Sequence, residues 1–123
     1  MNHDTPLLLV EDDVDIADAI SSCLADHGYT VVVAANGREA LDTLRQSAPL
    51  PGLILLDLMM PIMDGWQFRA AQTADPAFAR IPVVLLSAHV NVREAAEKMA
   101  VAGWLKKPVE LTALLEAVER PYD

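Results

Sequence analysis

Leu7-Leu8-Leu9-Val10-Glu11-Asp12-Asp13 is an apolar run that stops abruptly in three acids. Four consecutive aliphatic residues fit a strand buried on both faces better than one with a wet side, which would alternate. An acid placed directly after such a strand is at its carboxyl end. In open α/β sheets that is where ligands bind. The remainder of the chain repeats this design. Leu53 to Leu56 is a second such run and ends at Asp57, Ile81 to Leu86 is a third and ends at Ser87, and Trp104-Leu105 is followed by Lys106-Lys107-Pro108. Thr30 to Ala34 is β-branched and reads as one more strand.

Helical spacing fills the gaps between these runs. Ile16, Ile20 and Leu24 recur every four residues, and His27-Gly28 is a stop signal. Asn36-Gly37 turns the chain into a second helix reaching Gln46, with Leu41 and Leu44 inward. Asp64-Gly65 opens a short third helix, and Thr73 to Arg80 reads as irregular. Val92 to Val101 is an Ala-rich fourth helix. Leu111, Leu114, Leu115 and Val118 form the stripe of a fifth. Five strands alternating with five helices predict a doubly wound α/β domain with a parallel sheet and right-handed crossovers. With 123 residues, 1-123 is expected to be a single domain.

Composition narrows the function. Eighteen acidic against nine basic residues give a net charge of −9, which argues against direct binding of nucleic acid or of anionic membranes. The one cysteine, Cys23, forms no internal disulfide and fits a cytoplasmic location. Glu11, Asp12 and Asp57 meet at one sheet edge in the parallel arrangement. Two like charges ~4 Å apart repel by roughly 4 kcal/mol at an effective dielectric near 20. A proton or a cation must relieve that, and an all-oxygen donor set suits Mg²⁺, Mn²⁺ or Ca²⁺ better than zinc. Acids at this point also serve as helix caps, a role open to Asp13 or Asp15. A carboxylate such as Asp57 can also act as a nucleophile toward a phosphoryl group. Lys107 and Ser87 then supply a charge and a hydroxyl for phosphate oxygens.

Four blocks in order carry a resemblance over essentially the whole chain: Leu9-Val10-Glu11-Asp12-Asp13, Asp57-Leu58-Met59-Met60-Pro61-Ile62-Met63-Asp64-Gly65, Leu86-Ser87-Ala88 and Lys107-Pro108. The sequence resembles the receiver domains of two-component response regulators. The resemblance implies a flavodoxin-like (βα)5 fold with strand order 2-1-3-4-5. It implies that Asp57 accepts a phosphoryl group from a histidine kinase or a phosphotransfer protein. Glu11, Asp12, Asp57 and the main-chain carbonyl of Met59 would hold Mg²⁺, with Mn²⁺ as a substitute. Lys107 would pair with the phosphoryl group, Ser87 would turn to it, and Trp104 would be the switch aromatic. Met59 and His89 would tune attack by water on the acyl phosphate. The Lys107-Pro108 bond is expected to be cis.

Two departures stand out: Trp104 is larger than the usual switch aromatic, and Ala100 stands where the family often has Gly. A dehalogenase-type phosphatase would need an acid two residues after Asp57, where Met59 stands. A flavodoxin-like cofactor module would need a Ser/Thr/Gly-rich loop where the acids are. A receiver-like interaction module that works without phosphorylation is the remaining alternative. The expectation is thus a phosphoacceptor signalling domain rather than an enzyme, with no output domain. Glu110, Glu116 and Glu119 on the last helix favour a monomer that acts through a downstream protein target.

Overall fold

The computed structural model describes residues 4–122. Its ten elements alternate without exception: β1 (Leu7–Val10), α1 (Val14–Asp26), β2 (Val31–Ala34), α2 (Gly37–Gln46), β3 (Leu53–Asp57), α3 (Gly65–Ala74), β4 (Val83–Ser87), α4 (Val92–Met99), β5 (Gly103–Lys106) and α5 (Leu111–Glu119). All neighbouring strands pair in parallel, and the order across the sheet is β2-β1-β3-β4-β5. The alternation of strand and helix predicts the doubly wound parallel sheet, and the order is the flavodoxin-like one that the resemblance implies.

The strand period of two divides the core. Leu8, Val10, Ile54, Leu56, Val83 and Leu85 point to one face, where they meet Leu41 and Leu44 of α2, Phe68 of α3 and Met99 of α4. Leu7, Leu9, Leu53, Leu55, Val84 and Leu86 point to the other, against Ile20 and Leu24 of α1 and Leu114 and Val118 of α5. Each fully buried side chain of this size contributes about 1.5–3 kcal/mol. A run without polar breaks is therefore what a sheet covered on both sides requires. The edge strand β2 is the exception, with Val32 and Val33 39% and 45% exposed.

Several boundaries differ from the sequence expectation, each for a local reason. β4 begins at Val83 rather than Ile81. Pro82 has no N–H, and the Ile81 carbonyl is taken by the Gln72 side chain (3.1 Å). β3 extends through Asp57, which pairs with Leu86. α4 ends at Met99 rather than Val101, because Ala100 is left-handed (φ 54°). His27 and Gly28 end α1 as expected, with Gly28 at φ 88°. Lys107-Pro108 is cis, and so is Ala48-Pro49, which the sequence did not signal.

Candidate functional site

Strand order reverses at β1 and β3, so the helices that follow them leave to opposite faces and open a crevice at their carboxyl ends. Glu11 and Asp12 follow β1 there, and Asp57 is the last residue of β3. One carboxylate oxygen from each lies within 4.8 Å of those of the other two. Glu11 and Asp57 are buried, and Asp12 is exposed. The third acid of the opening run has a different task. Asp13 caps α1, its Oδ1 accepting from the backbone N–H of Asp15 (3.0 Å) and Ile16 (3.1 Å). The cap and the pocket therefore divide the acids between them.

Lys107 reaches in from the end of β5. Its Nζ donates to Glu11 Oε1 and lies 3.3 Å from Asp57 Oδ1. Burial draws the Lys107 ammonium pKa down. Its bond to Glu11 and the charges of Asp57 and Glu11 outweigh that, so the group is held above the ordinary lysine value. The Asp57 carboxyl is pushed up to about 6, chiefly by burial, then by hydrogen bonding and charge from Glu11, with Lys107 pulling the other way. Glu11 Oε2 is buried and has no hydrogen-bond partner among the described residues. An unsatisfied carboxylate oxygen in an all-oxygen cluster is a costly arrangement unless a cation or water meets it. The donor set fits Mg²⁺ or Mn²⁺.

Ser87 closes the pocket from β4. Its side chain is buried and its Oγ accepts the backbone N–H of His89 at 3.0 Å. Its carbonyl accepts the N–H of Lys107 at 2.9 Å, which fixes the start of the lysine's loop against the serine's strand. Below Asp57, Gly65 makes a close approach possible. A Cβ there would sit 2.8 Å from the Asp57 carbonyl oxygen and 2.9 Å from Leu58 Cα. Asp64 and Gln67 form a reciprocal capping box that starts α3 at this point.

The structure thus brings Glu11, Asp12, Asp57, Ser87 and Lys107 to one edge. Met59 and His89 flank them and are exposed, lining a cavity of about 260 Å³ with Leu58, Trp66 and Lys98. Trp104 stands apart, 42% exposed on β5, beside a separate cavity shared with Ala96, Glu97 and Arg120. Sequence reading missed Trp66, whose only signal is an aromatic directly after the Asp-Gly turn. It also missed Ile62, a β-branched residue at φ 67° in the loop after Asp57.

Fold and site together define a doubly wound domain with a lysine-clamped acidic pocket at its strand ends. A family model for the response regulator receiver domain matches residues 7–119, and the chain belongs to that family. The transcriptional regulatory protein GlrR of Escherichia coli (strain K12) is 36% identical over 116 residues, covering 92% of this chain and 25% of that protein. The chemotaxis response regulator CheY4 of Vibrio cholerae superposes with a TM-score of 0.84 at 30% identity, covering 94% of this chain and 97% of that one. The phosphorylated cyanobacterial phytochrome response regulator RcpA gives a TM-score of 0.78 at 34% identity, covering 94% and 89%. The chain spans between 25% and 50% of the length of several curated relatives. Among the described residues no helix is long and apolar enough to cross a membrane.

Proposed function

We propose that the chain is a phosphoacceptor switch in which Asp57 receives a phosphoryl group from the phosphohistidine of a kinase or phosphotransfer protein. The observation that carries the reading is the convergence of Asp57 with Lys107 and the unsatisfied Glu11 Oε2. The Asp57 carboxylate attacks phosphorus, the P–N bond of the donor breaks, and the imidazole leaves with the electron pair. With its pKa near 6, Asp57 is roughly nine-tenths ionised at pH 7 and ready to attack. Lys107 is held between Asp57 and Glu11, within reach of a phosphate oxygen on Asp57. Ser87 turns its hydroxyl from the His89 N–H to another.

Glu11, Asp12, Asp57 and the Met59 carbonyl would hold Mg²⁺, with Mn²⁺ able to replace it. Held there, the ion would supply positive charge to offset that of the phosphate oxygens. Met59 and His89 stand where water approaches and set the lifetime of the acyl phosphate. Trp104, half-exposed on β5, responds to the movement of Ser87. The chain acts by changing a protein-binding surface toward a downstream target, as a monomer in the cytoplasm and without contacting nucleic acid. Beyond its own phosphorylation and slow dephosphorylation it catalyses nothing. Residues 1-123 work as one receiver unit.

The test is intact mass after incubation with acetyl phosphate and Mg²⁺, beside Asp57→Asn and an EDTA control. One added phosphoryl group, lost in both controls, is the expected result. No labelling from acetyl phosphate or from phosphorylated kinase and phosphotransfer donors would refute the reading in favour of an unphosphorylated interaction module.

A further inference from the structure

α4 is held very differently at its two ends. At the carboxyl end, Arg69 reaches across from α3. Its Nε donates to the Met99 carbonyl (3.1 Å) and its Nη2 to the Ala100 carbonyl (2.9 Å), while Nη1 donates to Gln72 Oε1 (2.8 Å). Gln72 is fully buried, and its Nε2 donates to the carbonyls of Phe78 (2.9 Å) and Ile81 (3.1 Å). The last carbonyls of a helix lack intrahelical partners, so a guanidinium there supplies strong charge-assisted bonds. Ala100 turns left-handed, its N–H and that of Val101 close back onto Glu97 and Ala96 (both 3.2 Å), and Ala102 donates to Val83 at the start of β4 (2.8 Å). Three elements therefore meet at this end.

At the amino end Val92 packs into the core, but among the described residues no side-chain hydrogen bond comparable to those of Arg69 holds it. Asn91 makes no side-chain capping bond, and residues 88 to 91 are exposed. Asn91 N–H reaches His89 Nδ1 only at 3.4 Å, and Val92 N–H reaches the His89 carbonyl at 3.3 Å. The hydrogen bond from this loop to the end of β4 is His89 N–H to Ser87 Oγ. A hydroxyl that turns toward a phosphoryl group gives that bond up.

We propose that Arg69 is a positioning residue of the switch: it pins the carboxyl end of α4, so that release of His89 by Ser87 tilts the helix about Ala100 instead of carrying it away whole. The inference rests on the phosphoacceptor reading for its trigger, but the pin itself exists without phosphorylation. An eight-residue helix is about 12 Å long. A tilt about one end therefore moves mainly the first turn. That turn, with Glu94 and Ala95, forms one wall of the cavity whose other wall is Trp66. The surface that changes is the mouth between α3 and α4, and the Ala100–Gly103 turn stays in place.

Residue-resolved amide hydrogen exchange tests this in the intact chain, on the wild type, Arg69→Met and Arg69→Lys, each with and without acetyl phosphate and Mg²⁺. Labelling is checked by intact mass. In unlabelled wild type the amides of Ala100, Val101 and Ala102 should exchange at least about tenfold more slowly than that of Ala95. Labelling should speed Ala95 at least fivefold and leave Ala100 to Ala102 within twofold. In Arg69→Met the carboxyl-end amides should lose about tenfold protection and respond to labelling together with Ala95, with Arg69→Lys intermediate. Equal responses at both ends of labelled wild type overturn the pivot. Carboxyl-end amides in unlabelled Arg69→Met that exchange as in wild type overturn the pin, whether or not labelling succeeds. Failure of the wild type to take up label counts against the phosphoacceptor reading instead.

Discussion

Replacing Asp57 by Asn should make the protein more stable at neutral pH, even though it removes a partner of Lys107. The pocket gathers three carboxylates within 4.8 Å of one another around one lysine, and Asp57 ionises at about 6. In the unfolded chain an aspartate ionises near 3.9. Between those values the unfolded chain has already lost the proton and the folded one still holds it. Stability therefore falls as pH rises through that window and stays lowered above it. A gap of roughly two pH units corresponds to about 3 kcal/mol. The crevice opens to solvent, and screening reduces this to about 1–2 kcal/mol. Asparagine carries no charge and escapes the penalty, and Lys107 keeps Glu11. Urea unfolding at pH 7.5 should show the midpoint of the Asp57→Asn variant higher by roughly 0.5–1 M. At pH 4.5 the gain should shrink to about a third. Mg²⁺ should narrow it at pH 7.5 by stabilising the wild type. Equal midpoints at pH 7.5, or an undiminished gain at pH 4.5, would refute the electrostatic account.

Glu11→Gln and Asp12→Asn should each weaken Mg²⁺ binding by more than about tenfold in a calorimetric titration, since even supporting groups around a metal are worth that much. Gly65→Ala should cost about 2–3 kcal/mol in the same urea assay and slow labelling at Asp57, because its Cβ would press on the Asp57 carbonyl and Leu58. Ala100→Gly and Ile62→Gly should each raise stability by about 1 kcal/mol, since both positions have positive φ (54° and 67°). A loss at either would mean that the native side chain contributes more than its backbone strain costs.

Much of this molecule is legible from residues near one another in sequence. Unbroken runs such as Leu53 to Leu56 reveal buried strands, and an acid directly after such a run marks the ligand edge without reference to any relative. The convergence of Glu11, Asp12, Asp57, Ser87 and Lys107 at one edge needed only the further assumption of a parallel sheet. What sequence did not reveal depends on distant partners. Arg69 looks like an ordinary surface residue of a helix, and its significance comes from carbonyls 30 and 31 residues away. The division of labour among Glu11, Asp12 and Asp13 likewise depends on the exact start of the helix, which at Val14 makes Asp13 its cap. The end of α4 is hidden from local sequence because Ala100 favours helix by propensity, yet it is left-handed, with Arg69 of α3 bonded to its carbonyl.

The exposed valines of β2 bear on how the molecule behaves in company. Val31-Val32-Val33-Ala34 lies at the sheet's rim, with no strand beyond it among the described residues, a short sticky ribbon of strong β-formers. Two such rims from separate molecules can align, and the strand's brevity limits what they gain. The net charge of −9 adds a long-range repulsion that keeps copies apart before the rims meet. At about 1 M salt that repulsion reaches only about 3 Å. The same acidity that fills the pocket thus also serves colloidal stability, and concentrated, salty solution is where this chain loses that protection.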